Sequence, residues 1–308
     1  MRNRIGLIDI DSEIPNFALM KLSAYHKSKG DNVEWWRGRS FHSKYDKVYA
    51  SKIFTFTQMA YIDGNYIDID DLPKDVEIGG SGYYINKKLP DDVEDFIPDY
   101  SIYPNCDYSI GFITRGCIRN CDYCIVPEKE GKIRQNSTVE NIWRGKGNLV
   151  LLDNNILAKP EAFKEVILFC KKNKIKVDFN QGLDCRLITD GLAKFINQYR
   201  SVIKPELRFA FDNLDYKNAV EKTCQLIKGR CFWYVYLDEN WESALERLLI
   251  LKRLRQRSYI MRNRRVVGRS FKKFTILSYW SNCMGAMNKM DFYDCVHYYK
   301  DRSYFSKV

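Results

Sequence analysis

From Asp107 onward the chain repeats one pattern: a short apolar run, a turn, then a stretch with apolar residues at helical spacing. The runs Tyr108–Ile113, Leu149–Leu152, Ile175–Phe179, Leu207–Phe211, Cys231–Leu237 and Tyr259–Met261 read as strands. Pro160 starts a helix with Phe163, Val166, Ile167 and Cys170 on one face. Thr189 and Asp190 cap a helix whose face is Leu192, Phe195, Ile196 and Tyr199. A further helix runs through Val220, Cys224 and Ile227 to Gly229, and Trp241, Leu245, Leu248 and Leu249 line the next. Helices between strands imply parallel pairing, because a parallel neighbour needs a long crossover connection. Six strand–helix units are fewer than the eight of a closed barrel.

The first hundred residues alternate in the same way. Ile5–Asp9 reads as a strand, and Pro15 opens a helix with Ala18, Leu22 and Tyr25 on one face and Gly30 at its end. Val33–Trp36 and Val48–Phe54 are further strands, and Val76–Gly82 is a strand entering a glycine turn. An open, mostly parallel sheet is expected over residues 1–104. Residues 83–104 are acidic, carry Pro90, Pro98 and Pro104, and read as the connection to the next domain. His26, on the helix, reads as a surface or interface residue. The expected division is 1–104, 105–270, and a helical, aromatic tail at 271–308 that packs across the barrel mouth or against the first domain.

Only one group of cysteines is clustered. Cys117, Cys121 and Cys124 lie in Gly111-Phe-Ile-Thr-Arg-Gly-Cys-Ile-Arg-Asn-Cys-Asp-Tyr-Cys-Ile-Val-Pro127, with C-x3-C-x2-C spacing. Three thiolates are one short of the four that a structural zinc site or an iron–sulfur cubane usually takes. A cubane with three protein thiolates keeps one iron open to a ligand. A zinc site completed by Cys106, or three thiols packed without metal, are the alternatives.

The run resembles the signature of the radical S-adenosylmethionine (SAM) enzymes, C-x3-C-x-Φ-C, with Tyr123 as the aromatic Φ. Cys124-Ile-Val-Pro followed by Gly131-Lys-Ile-Arg134 is similar to stretches of the methylthiotransferases and the cobalamin-type radical SAM proteins. The resemblance implies an α/β chain: a Rossmann-like open sheet, then a (β/α)6 partial TIM-type barrel. It implies a 4Fe–4S cluster on Cys117, Cys121 and Cys124, with SAM on the open iron and the main chain around Tyr123 beside the adenine. It implies reductive cleavage of SAM to a 5′-deoxyadenosyl radical, which then modifies a nucleic acid or nucleotide, a peptide or a metabolite. An external one-electron donor of flavodoxin or ferredoxin type would be required.

In parallel α/β folds, ligands bind beyond the C-terminal ends of the strands. There the chain places Asp153-Asn154-Asn155, Asn180-Gln-Gly-Leu-Asp-Cys-Arg186, Asp212-Asn213 and Asp238-Glu239. By the resemblance, Asn154 or Asn155 occupies the place of the family's G-G-E motif, which binds the SAM amino group. Gln181, Asp184 or Arg186 would face ribose hydroxyls or the SAM carboxylate. Helix capping and turn chemistry are the competing roles for all of these residues, and Asp238 and Glu239 are expected to cap the helix that follows. Cys185 is either a hydrogen donor to the product radical or a packed thiol. The chain lacks the cobalamin-ligating D-x-H-x-x-G pattern, which argues against cobalamin and a cobalamin-dependent methylase. No Cys precedes Cys106, which argues against a second cluster and sulfur insertion.

Charge adds a partner class. The net charge is +11, divided as −4 over residues 1–104 and +15 over 105–308. Lys252–Lys273 holds ten Lys/Arg and no Asp or Glu, among them Arg253, Arg255, Arg257, Arg262, Arg264, Arg265 and Arg269, with aromatics interleaved. That suits an anionic partner such as nucleic acid, and keeps open a zinc-binding nucleic-acid module without catalysis. The ten cysteines are otherwise scattered, and Asp9 and Asp11 interrupt the only apolar run near the start. No stretch is long enough to span a bilayer. A reducing cytoplasmic setting, without membrane association, is expected.

Overall fold

The computed structural model describes residues 2–263 and 272–300. They form a mixed α/β chain of two compact units. The first holds the chain to Gly111 together with Arg119–Lys132 and Arg144–Gly147; the second holds Phe112–Ile118, Ile133–Trp143 and the chain from Asn148.

In the first unit the strands are β1 (Arg4–Asp9), β2 (Asn32–Trp35), β3 (Lys47–Ser51), β4 (Met59–Ile62), β5 (Asn65–Asp68), β6 (Glu77–Gly79) and β7 (Ser109–Gly111). Its helices are α1 (Phe17–Ser28), α2 (Asp91–Glu94) and α3 (Val126–Lys129). The order β2-β1-β3-β6 is parallel throughout, as expected of an open α/β sheet. β4 and β5 form a separate antiparallel hairpin. The glycine turn after β6 is required sterically. Gly80 has φ +95° and runs so close to the neighbouring chain that a Cβ would lie 2.2 Å from the Lys52 carbonyl oxygen.

Three expectations for this unit change. Asn16, not Pro15, starts α1, its side chain accepting from the Leu19 N–H. The buried residues of α1 are Leu19, Met20, Lys21, Leu22, Ser23 and His26 rather than Ala18 and Tyr25. The reason is a second covering layer: the acidic, proline-bearing stretch is fastened along the helix. Lys21 pairs with Glu94 at 3.1 Å, Asp99 accepts from Ser23 (2.6 Å) and Lys27 (2.7 Å), and Val93 is buried. His26 is a buried structural residue, not a surface one, with its ring nitrogens 2.8 Å from Asp31 and 3.1 Å from the Tyr49 hydroxyl.

In the second unit, β8 (Thr114–Arg115) pairs antiparallel with β9 (Arg134–Gln135), followed by α4 (Val139–Ile142). Then come β10 (Leu149–Leu151), α5 (Pro160–Lys172), β11 (Val177–Phe179), α6 (Asp190–Gln198) and β12 (Arg208–Ala210). They are followed by α7 (Lys217–Leu226), β13 (Phe232–Leu237), α8 (Trp241–Arg253) and β14 (Arg257–Arg262). β10 pairs parallel with β11, and β12, β13 and β14 pair parallel in that order. A parallel bridge from Leu183 to Phe209, with the Leu183 N–H donating to the Arg208 carbonyl at 2.8 Å, joins the two sets. Neighbours in space are therefore neighbours in sequence, with a helix between each pair. Trp233, Phe209, Leu149, Leu151 and Val177 are among the residues that fill the core beneath α5–α8.

The expected strand Tyr108–Ile113 is confined to Ser109–Gly111, and the Asp153 carboxylate accepts from the Ile113 and Thr114 amides just beyond it. On α8, Leu245 and Leu248 are buried as expected, but Leu249 points outward (43 % exposed) and Arg247 is buried instead. The described part of the tail is helical, and it packs on β14. Helices α9 (Lys272–Asn282), α10 (Met284–Lys289) and α11 (Phe292–Lys300) follow β14. Asn282 accepts from the Ile260 N–H at 2.8 Å, Ser281 bonds Ser258 at 2.9 Å, and buried Trp280 donates to the Met290 carbonyl. The tail thus covers the edge strand β14, whose open side would otherwise invite pairing. Among the described residues no helix is long and apolar enough to cross a membrane.

Candidate functional site

Asp153, Asn154 and Asn155 follow the C-terminal end of β10, and each reaches a different point on the segment that leads into the cysteines. Asp153 accepts from the Ile113 N–H (3.1 Å), the Thr114 N–H (2.5 Å) and the Thr114 hydroxyl (2.7 Å). Asn154 Oδ1 accepts from the Gly116 N–H at 2.9 Å. Asn155 Nδ2 lies 3.4 Å from Cys117 Sγ and 3.4 Å from Asp184 Oδ2. Three consecutive side chains therefore hold residues 113–117 in place. Asp153 is 4 % exposed, and burial pushes its carboxyl up to about 6 even though these three donors pull the other way.

Asp184 and Arg186 follow β11. Gly182 (φ +89°) turns the chain, and a side chain there would press on the Tyr234 ring at 3.3 Å. Asp184 accepts from Arg186 Nε at 2.7 Å and Nη2 at 3.0 Å, and the guanidinium lies 4.0 Å from the centre of the Tyr216 ring. Arg186 is thus locked between a carboxylate and an aromatic face. Gln181 is exposed at the same strand end. A contact series results: Cys117, Asn155, Asp184, Arg186, Tyr216.

Of the residues expected to bind cofactor, the structure brings together Asn155 and Arg186, through Asp184. Asn154 is engaged by the Gly116 amide, and Gln181 stands apart from the series. Asp212 accepts from the Tyr236 N–H at 2.9 Å. Neither Asp238 nor Glu239 caps α8; Asn240 does, accepting from the Ser243 N–H at 3.0 Å. Cys185 is 2 % exposed and lies 3.7 Å from the Ala210 carbonyl, and burial pushes its thiol up to about 12, which keeps it protonated and packed. Of the basic segment, Arg253 lies on α8, Arg255 in the turn after it, and Arg257 and Arg262 on β14; residues 264–271, with Arg264, Arg265 and Arg269, lie outside the described residues.

Cys117 belongs to the second unit; Cys121 and Cys124 belong to the first, in a turn where the Cys124 N–H donates to the Cys121 carbonyl at 3.0 Å. Cys124 and Tyr123 are exposed, and none of the ten cysteines is in a disulfide. Among the described residues no three His, Cys, Asp or Glu side chains are gathered at metal-binding distance. The donor set still fits an iron–sulfur group by type: three unoxidised thiols in one short segment. Beside Cys117, Asn155 is 3 % exposed and its Oδ1 is buried without a hydrogen-bond donor. Such an orphan is unusual in a folded interior.

Two site features had no sequence signal. Arg247 is 2 % exposed and donates to the carbonyls of Phe211 (2.8 Å) and Tyr236 (3.0 Å), tying together the ends of β12 and β13. Thr114 anchors Asp153. The helical and strand patterns would place both residues at the surface.

No family model and no curated protein matches the sequence. Among solved structures, a crystal structure of Streptococcus suis SuiB bound to S-adenosylmethionine is similar at a TM-score of 0.38 and 9 % identity, over 56 % of this chain and 42 % of that one. The chain therefore spans less than half of that structure's length. A likeness at this level carries no argument about fold or chemistry.

Proposed function

We propose that this chain is a radical SAM enzyme in which Cys117, Cys121 and Cys124 hold a 4Fe–4S cluster and SAM occupies the open iron. The observation that carries the reading is the cysteine run itself, whose leading end is pinned by Asp153, Asn154 and Asn155 at the C-terminal end of a parallel strand. That is the edge where parallel α/β folds bind ligands. The sequential parallel order of β10 to β14 supports a (β/α) partial barrel as the frame. When bound, the cluster supplies the electron that splits the SAM sulfonium into methionine and a 5′-deoxyadenosyl radical.

The roles proposed for the chain's own residues follow from their bonding. The Asn155 carbonyl oxygen, buried without a donor, accepts from the ammonium of SAM. Arg186, held by Asp184 and Tyr216, is pre-organised to meet a carboxylate or a ribose oxygen. Gln181 adds an amide at the same edge. The main chain around Tyr123 lines the adenine. An external flavodoxin- or ferredoxin-type protein delivers the electron.

The test is anaerobic reconstitution with iron and sulfide, then dithionite and SAM. The expected product is 5′-deoxyadenosine, lost in Cys117→Ala, Cys121→Ala and Cys124→Ala. Native-like protein with iron and sulfide bound but no 5′-deoxyadenosine would refute the reading. Protein that retains one zinc and no sulfide would replace it with a zinc site.

A further inference from the structure

A concave site lies at the other end of the parallel strands. A cavity of about 370 Å³ opens where α8 ends and β13 and β14 begin. Arg230, Lys252, Arg255, Gln256, Arg257 and Asn288 line it, from three separate stretches of chain. No acidic side chain is among its lining residues.

The donors differ in how far they are already engaged. Arg257 pairs with Glu206 at 2.5 Å, but its Nε is buried without a partner. Lys252 donates to the Met290 carbonyl at 2.8 Å, and its ammonium lies 5.4 Å from the centre of the Trp280 ring and near enough to Asp291 to lower that carboxyl. The side chains of Arg230, Arg255 and Asn288 make no hydrogen bond or ion pair among the described residues. Arg253, next in the chain, is taken by Glu221 at 2.7 Å and does not line the cavity.

A helix C-terminus ordinarily repels anions, because its last carbonyls carry partial negative charge. Here the carbonyls of Ile250, Leu251, Lys252 and Leu254 are occupied. The N–H groups of Leu254, Arg255 and Gln256 donate to the carbonyls of Ile250, Lys252 and Leu251, and Gln256 Nε2 takes that of Leu254. Arg255 sits in this turn at φ +55°, where glycine is the usual residue. Gln256 Oε1 accepts from the Cys231 N–H at 2.8 Å, which fixes the turn against the start of β13. What remains facing the cavity is a set of cationic and amide donors on a rigid frame.

We propose that this cavity is a phosphate-binding site, for a nucleotide or the backbone of a nucleic acid, with Arg230 and Arg255 as its principal cations. It is independent of the cysteine run, and protein without a cluster suffices to test it. Calorimetric titration of the full chain with inorganic pyrophosphate should saturate, and Arg230→Gln/Arg255→Gln should weaken binding about tenfold or more. Arg253→Gln should leave it unchanged. Displacement of pyrophosphate by ADP identifies a nucleotide ligand. A short labelled single-stranded RNA that binds wild-type protein, with a shallower salt dependence in the double variant, identifies a nucleic acid. The absence of saturable pyrophosphate binding, or an equal loss in Arg253→Gln, overturns the site.

Discussion

Two carboxylates, each in a different unit, show how burial and bonding compete at a single residue. At Asp153 burial wins and lifts the carboxyl to about 6 from an ordinary 3.8. The folded protein then holds that proton more tightly than the unfolded chain, so this group's contribution to stability falls as pH rises from about 4 to about 6. The full effect is about 3 kcal/mol. Asp153→Asn removes it. The difference in unfolding free energy between variant and wild type, from urea titrations, should change by that amount between the two ends of the window. A difference that does not vary with pH would show that Asp153 stays ionised. At Asp99 burial also raises the carboxyl, but bonds from Lys27, Ser23 and Ser101 outweigh it and hold the group at about 2. Its stabilisation, about 2 kcal/mol, is fully present above pH ~4 and lost as pH falls through ~2. Asp99→Asn should therefore cost about that much at neutral pH and almost nothing near pH ~2, by the same titrations. A cost equal at both pH values would mean that the ion pair contributes nothing.

At the scale of the element, α8 shows what periodicity can and cannot tell. The spacing of Trp241, Leu245 and Leu248 marks an amphipathic helix, and the helix is there. The spacing cannot decide between two adjacent leucines, and it misplaced Leu249, which is 43 % exposed where Leu248 is fully buried. Leu248→Ala should cost about 2–5 kcal/mol and Leu249→Ala less than about 0.5 kcal/mol, by chemical denaturation. Equal losses would mean that the face is assigned wrongly. Arg247 takes the intervening buried place because strand-end carbonyls of Phe211 and Tyr236 need donors. A side chain's own sequence neighbours say nothing about such distant acceptors. The same limit applies to α1: its heptad positions suggested one face, but the 83–104 stretch covers another.

At the scale of the whole molecule, the candidate site is assembled from pieces far apart in the chain. Residues 113–117, 153–155, 184–186 and 216 meet within the second unit. The roles of Asn154 and Asn155, adjacent and chemically identical, separate only there. Asn154 is spent on the Gly116 amide, and Asn155 keeps a buried oxygen without a donor. Asn155→Ala should leave iron and sulfide content unchanged in reconstituted protein and weaken SAM binding about tenfold, measured by equilibrium dialysis. Wild-type affinity in that variant would remove Asn155 from the site.

The alternation of strand and helix, the parallel pairing that alternation requires, and the three-thiol run with its spacing are all legible in the chain before it folds. These are local properties: apolar period, turn residues and cysteine separation are legible within short windows. Tertiary structure alone decided which polar residue at each strand end is structural and which retains bonding capacity. It also decided that the tail covers β14, and that basic residues from Arg230 and from the end of α8 line one cavity. Those outcomes depend on buried donors and acceptors finding partners many residues away, and burial, which makes the pairing obligatory, exists only once the chain has folded.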